Sequence, residues 1–338
     1  MPGVKQAPPR GYLEQQWGDG TAPPLYCPAR QRDDEVLAGA LDQRLVAWLQ
    51  QAGFADSTVT AVRRMSLGRF VASSYASGDD LDRLLLCAQL NAAWWMADDY
   101  YTDDSSLGAQ PEHLSERLSR AMAAMSPLAP VAHYTRQLEA QWTSDPVLMA
   151  LRSATDHLRQ RASPTQVGRV CHTAFGMFMS WTVYGEWKRR GVCPSTREYL
   201  ATRQFDSFYT SLILIDIAGG YELPPNVFYD PRVRQALFQA GLAAVIVNDL
   251  YSARKEAADG VPMGNLVLVM AAEHRCSHSE AVAMAVALHN NLTRDFEVAC
   301  RGLANEPSVE LQRYLQEVRA WMGGSLAWHD WCPRYHQP

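Results

Sequence analysis

Residues 97–104 read Ala-Asp-Asp-Tyr-Tyr-Thr-Asp-Asp, so the carboxylates of Asp98, Asp99, Asp103 and Asp104 crowd together. They close an apolar run, 81–97, in which Leu81, Leu84, Leu85, Ala88, Ala92 and Trp95 recur at helical spacing. Negative charge at a helix C-terminus opposes the macrodipole, and like charges this close repel. Such a cluster needs a counter-charge, and a hard dication suits all-oxygen ligands. A second stretch, 248–256, reads Asn-Asp-Leu-Tyr-Ser-Ala-Arg-Lys-Glu. Asn248, Ser252 and Glu256 stand four apart and line one helix face. An amide oxygen, a hydroxyl and a carboxylate can hold Mg²⁺. Either stretch alone also fits an ordinary solvated helix end. Two of them, each growing from an apolar helix, point to one Mg²⁺ site shared between them.

The elements that position these residues read as helices throughout. Helices are expected over 34–53, closed by Gly53, then over 57–76 and 80–104. Pro111 opens another; Pro127 and Pro130 break it; helices at 131–142, 146–162 and 164–190 follow. Ser195 and Glu198 form a capping box that starts a helix over 195–219. Further helices are expected over 231–257, 279–304 and 307–329. No alternating pattern of useful length marks a strand. The expected fold is all-α, about ten to twelve helices around one core. Residues 1–24, rich in Pro and Gly and without periodicity, read as a flexible arm, and 25–338 as one domain.

The chain has 338 residues, 47% of them hydrophobic, which is enough for a sizeable core. A net charge of −5 carries no nucleic-acid footprint. No run of about 18 apolar residues marks a membrane span. Seven cysteines without a CxxC pair fit reduced thiols in a cytoplasm better than disulfides or zinc.

With both stretches in view, the chain resembles the bacterial class I terpene synthases. The aspartate-rich motif is Asp98-Asp99-Tyr100-Tyr101-Thr102-Asp103, and the Asn/Ser/Glu motif runs from Asn248 to Glu256. The second motif separates cyclases from chain-elongating prenyltransferases, which carry two aspartate-rich motifs. Leu-Tyr-Cys-Pro at 25–28 with Arg32-Asp33-Asp34, and Gly-Tyr-Glu-Leu-Pro at 220–224, resemble members that make 2-methylbornane-type monoterpenoids from 2-methylgeranyl diphosphate. Cyclases of geranyl or farnesyl diphosphate are the nearest alternative, and a non-catalytic helical scaffold is the alternative from another class. Dimers are common in the family.

The resemblance implies a prenyl diphosphate substrate and Mg²⁺, three ions when substrate is bound. Asp98, Asp99 and Asp103 would face Asn248, Ser252 and Glu256 as metal ligands. On a regular helix Asp98 and Asp99 lie about 100° apart, so all three acids serve one ion only if the helix end is distorted. Arg203 would sense diphosphate, with Asp206 as linker and Ser207 as the residue whose carbonyl faces the cation. Lys255, Arg334 and Tyr335 would bind diphosphate and close the site. Phe70, Trp94, Trp95, Phe178, Trp181, Tyr184 and Trp328 are expected to line an aromatic cavity, whose ring faces attract carbocations.

Overall fold

Helix caps written into the sequence set where most elements begin. In the computed structural model, the described residues are 17, 20, 22–27, 29, 32–75, 78–103, 109–127, 131–206, 208–258 and 264–335; the side chains of Asp103, Leu138, Gln141, Ala258 and Arg334 lie outside that set. Asp34 accepts from Leu37 N (2.9 Å) and starts α1, Glu35–Gln51. After α2, Asp56–Arg64, and α3, Leu67–Ser74, Asp80 caps α4, Leu81–Asp98, by accepting from Asp82 N. Then follow α5, Leu114–Met125, and α6, Ala132–Thr143. Asp145 caps α7, Pro146–Arg161. Capping boxes at Ser163 and Ser195 open α8, Pro164–Arg190, and α9, Thr196–Arg203. The short helices α10, Phe208–Leu212, α11, Ile215–Ala218, and α12, Pro225–Phe228, lead into α13, Pro231–Ala258. Three more complete the chain: α14, Leu266–His274, α15, His278–Gly302, and α16, Val309–Trp331. Among the described residues there are thirteen α-helices of eight or more residues and no strand.

The expected all-α class stands, and breaks within expected helices add to their number. The helix read over 57–76 divides at Met65 and Ser66, where Ser66 takes φ 52°. The break frees the Met65 carbonyl, which accepts from Trp328 Nε1 at 2.8 Å and so holds the end of α16. Gly324 lets α16 approach α3, since a Cβ there would stand 2.4 Å from the Ser73 carbonyl oxygen. The helix read over 195–219 breaks after Arg203 and again before Ile215. No Gly or Pro marks the first break; Asp206 turns back there to pair with Arg203. The helix read over 80–104 ends its α-form at Asp98 and continues as a π-helical turn, Asp99–Asp103. Residues 104–108 of that reading lie outside the described residues.

The metal-bearing helices lie at the centre. α13 packs against α10, α14, α15 and α16, while α4 packs against α1, α3 and α7. Pro231–Ala257 is long and apolar enough to cross a membrane by composition, yet 72% of its most apolar window is buried inside the fold. Its apolarity is that of a core helix. The flexible arm expected over 1–24 needs correcting at its C-terminal end. Trp17 and Ala22 are buried, Leu25 is 2% exposed, and Asn290 clamps the segment by donating to Pro24 O and accepting from Tyr26 N. Burying an indole and a leucine outweighs the low periodicity of this stretch.

Two histidines are buried neutral. Burial lowers His289 to about 4 and His329 to about 3, from an ordinary 6.5. Each folded value lies below the unfolded one, so the unfolded chain binds more protons between those limits. The stability each contributes is complete above pH 6.5 and is lost as pH falls toward its folded value. At pH 5 this amounts to roughly 2 kcal/mol per histidine. Glu256, whose value is raised, titrates in the opposite sense, so the check is a difference. Denaturant unfolding of wild type and His289→Gln at pH 7 and pH 5 should show the gap between them shrinking by about 2 kcal/mol at the lower pH.

Candidate active site

The centre of the site is the guanidinium of Arg203 on α9, 8% exposed. Its Nη1 donates to Asp206 Oδ2, and its Nη2 donates to Asp249 Oδ1 (2.8 Å) and Asn248 Oδ1 (3.3 Å). Asp206 in turn accepts from Trp181 Nε1 at 2.9 Å, and Asp249 accepts from Tyr199 Oη at 2.7 Å and from Leu266 N at 3.2 Å. Burial works against the charge on Arg203, but Asp249 and Asp206 hold its pKa well above the usual value. Burial raises Asp249 as well, against the pull of Arg203. The Arg203 Nε–H is buried with no hydrogen-bond partner among the described residues.

α13 presents Asn248, Ser252 and Glu256 on one face, as their spacing requires. Asn265, the N-cap of α14, donates to Ser252 Oγ (3.1 Å) and to Asp249 O (2.8 Å), which fixes the hydroxyl. Burial and the neighbouring charge of Asp249 push Glu256 up to about 6. A desolvated carboxylate beside another carboxylate is short of positive charge, which a cation on this face would supply. Among the described residues no three His, Cys, Asp or Glu side chains converge. The donor set is therefore mixed oxygen, which fits Mg²⁺ and not zinc.

Asp98 and Asp99 are half-buried at the end of α4. The π turn that follows supplies the distortion a regular helix lacks. Its i→i+5 bonding brings backbone positions five apart, such as 98 and 103, toward one side. One turn before the acids, Trp95 stacks on Trp328 with centroids 5.3 Å apart. Trp328 meets Tyr335 edge-on at 5.6 Å, and Asn248 Nδ2 donates to Tyr335 Oη at 2.7 Å. Two ring contacts and one hydrogen bond thus join the acidic end of α4 to the polar face of α13.

A family model described as "Terpene synthase family 2, C-terminal metal binding" matches residues 89–295, which span both stretches. The chain belongs to the terpene synthase family. This terpene synthase is 31% identical over 319 residues to the 2-methylisoborneol synthase of Saccharopolyspora erythraea, covering 92% of this chain and 89% of that one. It is 32% identical over 310 residues to the 2-methylisoborneol synthase of Streptomyces lasalocidi, covering 91% of this chain but only 64% of that protein's length. The crystal structure of 2-methylisoborneol synthase from Streptomyces coelicolor A3(2) with Mg²⁺ and 2-fluoroneryl diphosphate superposes with a TM-score of 0.86 at 30% identity, covering 90% of this chain and 94% of that one.

The remaining expected residues of this terpene synthase divide clearly. Phe70, Trp95 and Trp328 form one ring cluster with Phe208 and Trp321, and Phe178 packs on Trp181 at 5.3 Å. Tyr184 packs on Tyr199 and Trp187. Trp94 is 2% exposed but makes no ring contact among the described residues, which corrects its place in the lining; it sits a helical step from Trp95 and points elsewhere. Lys255 is exposed on α13. Ser207 and the side chains of Asp103 and Arg334 lie outside the described residues. Sequence reasoning missed Tyr199, Asp249 and Asn265 as the supports of Arg203 and Ser252. Asp249 lies inside the quoted motif, and Asn265 stands where an N-cap belongs, but only their partners reveal the role. Two open grooves, about 470 Å³ beside Phe238 and Leu242 and about 650 Å³ beside Trp142 and His157, lie apart from both stretches.

Proposed function

We propose that the protein cyclises 2-methylgeranyl diphosphate to a 2-methylbornane-type monoterpenoid, 2-methylisoborneol or 2-methylenebornane, and releases diphosphate. The observation that carries this reading is the ring-and-hydrogen-bond bridge from Trp95 through Trp328 and Tyr335 to Asn248, beside a buried arginine. The substrate follows the relatives, which are 2-methylisoborneol synthases. Asp98, Asp99 and Asp103 on one side, and Asn248, Ser252 and Glu256 on the other, would hold Mg²⁺, which supplies charge compensation for the leaving diphosphate. Seven free cysteines accord with a cytoplasmic setting.

The chain's own residues do the rest. Arg203 is held in place by Asp206 and Asp249, and its unpartnered Nε–H is a donor for the diphosphate as charge develops on it. Lys255 and Arg334 add positive charge at the rim, and Tyr335 ties the C-terminal segment to Asn248. Ser207 lies where the helix breaks, and its carbonyl faces the cation. Ionisation of the allylic C–O bond is followed by return of diphosphate as a linalyl-type ester, rotation, a second ionisation and two ring closures. The faces of Phe70, Trp95, Phe178, Trp181 and Trp328 stabilise the cations and exclude water.

Incubation with C10, C11 and C15 prenyl diphosphates plus Mg²⁺, with volatile analysis and diphosphate assay, tests the reading. The C11 substrate should react with the highest kcat/KM, ahead of the C10 compound by about 10–200-fold, which is the worth of one methyl in an apolar pocket. Turnover of the C15 substrate alone would overturn the substrate class, and no diphosphate release from any of them would overturn the activity.

A further inference from the structure

The end of α16 carries two polar atoms that nothing satisfies. His329 is fully buried, and its Nδ1 lies 2.8 Å from the Ser325 carbonyl oxygen. A carbonyl only accepts, so Nδ1 carries the proton and Nε2 carries a bare lone pair. That lone pair has no hydrogen-bond partner among the described residues. One turn earlier, Ser325 Oγ is also buried and unpartnered. The Nδ1 bond holds the imidazole over Ser325, so both orphans lie on one helix face. Buried polar atoms left in this way are ordinarily satisfied by an ordered water.

The surroundings say what such a water would meet. The imidazole sits among Trp328 (4.8 Å), Tyr335 (5.0 Å), Phe208 (5.1 Å) and Tyr251 (5.6 Å). Trp328 and Tyr335 are the rings that join the two acidic stretches. A naked imidazole nitrogen there would trap a carbocation by forming an N–C bond. A water bound to it blocks that bond and turns its own oxygen lone pairs outward.

We propose that His329 Nε2 and Ser325 Oγ hold the water that ends the reaction, and that His329 takes its proton, so that the product is the alcohol and not the alkene. This rests on the cyclase reading above. The water oxygen forms the C–O bond to the final cation with one of its lone pairs. The oxonium then passes a proton to Nε2, leaving a neutral alcohol and an imidazolium. The imidazolium gives that proton to the departing diphosphate, which restores the neutral ring. Burial lowers the His329 pKa to about 3; this still leaves the imidazole far more basic than an alkyl alcohol, and it favours rapid loss of the proton afterwards.

The test measures the alcohol-to-alkene ratio with 2-methylgeranyl diphosphate in ¹⁸O-labelled water, on whatever turnover each protein retains. Wild type should give chiefly alcohol carrying ¹⁸O. His329→Phe keeps a ring and removes the lone pair, and should lower the ratio at least tenfold. Ser325→Ala leaves the ring box intact and should lower it several-fold, so it decides the matter if His329→Phe does not fold. Unchanged ratios in the folded variants, or alkene alone from wild type, would overturn the role of His329 while leaving the cyclase standing. If wild type releases no diphosphate, the cyclase reading falls and this proposal with it.

Discussion

Asn248→Ala is expected to reduce diphosphate release by three or more orders of magnitude while leaving the protein folded. The amide oxygen of Asn248 faces the same side as Ser252 and Glu256, and its Nδ2 anchors Tyr335 at 2.7 Å. Losing it removes a donor to the cation and loosens the C-terminal segment together. Charge stabilisation by a bound dication is worth several kcal/mol in the transition state, and about 1.4 kcal/mol is tenfold in rate. The structural loss is smaller, two hydrogen bonds at about 1 kcal/mol each. That corresponds to roughly 3 °C or less in Tm for a chain of this size. Two measurements check this, the diphosphate release rate and the melting temperature with and without Mg²⁺ and inorganic diphosphate. Wild type should melt higher with both present, and Asn248→Ala should show little of that rise. A variant that keeps turnover within threefold would sink the assignment of this face as the metal face.

Arg203→Ala should fail in a different manner, losing both turnover and stability. Asp206 and Asp249 are each 1% exposed, and Arg203 is the guanidinium that neutralises them. Breaking a buried pair costs about 3–5 kcal/mol, because the partner is left charged and desolvated. For this chain length that is roughly 4–7 °C in Tm. Arg203→Lys should not restore either property, since a point charge cannot reach both carboxylates and Asn248 as the planar fork does. Combining Arg203→Met with Asp249→Asn should recover part of the Tm and none of the turnover. That separation distinguishes a diphosphate-binding arginine from a merely structural one. A wild-type melting temperature in Arg203→Ala would show that the cluster is not charged as described.

The legible parts of the site were those whose geometry is local. Asn248, Ser252 and Glu256 share a face because a helix has a fixed period, whatever it packs against. Ser195 and Glu198 announce the start of α9, since a capping box closes within four residues. Asp98 and Asp99 were visible as charge that an apolar helix cannot leave unmatched. The need for a distorted helix end to bring in Asp103 was also visible, but the π turn that provides it was not.

Other features depend on contacts made from far along the chain. The break after Arg203 has no Gly or Pro to mark it; it is stabilised by Asp206 reaching Arg203 and Trp181. Trp17 looks like part of a loose arm until Tyr251 is set edge-on against it, 5.2 Å away. Trp94 and Trp95 are equally aromatic in the sequence, and only the position of Trp328 decides which one joins the ring cluster.

By itself, the amino-acid sequence determined the helical class, the two oxygen-rich motifs and the family they resemble, because period, capping and charge act over a few residues. The tertiary structure alone decided that Asp249, Tyr199 and Asn265 support the reactive face, and that His329 keeps an unsatisfied lone pair among the rings. Burial and hydrogen-bond pairing are properties of what surrounds a side chain, and those surroundings come together only when helices distant in the chain are packed side by side.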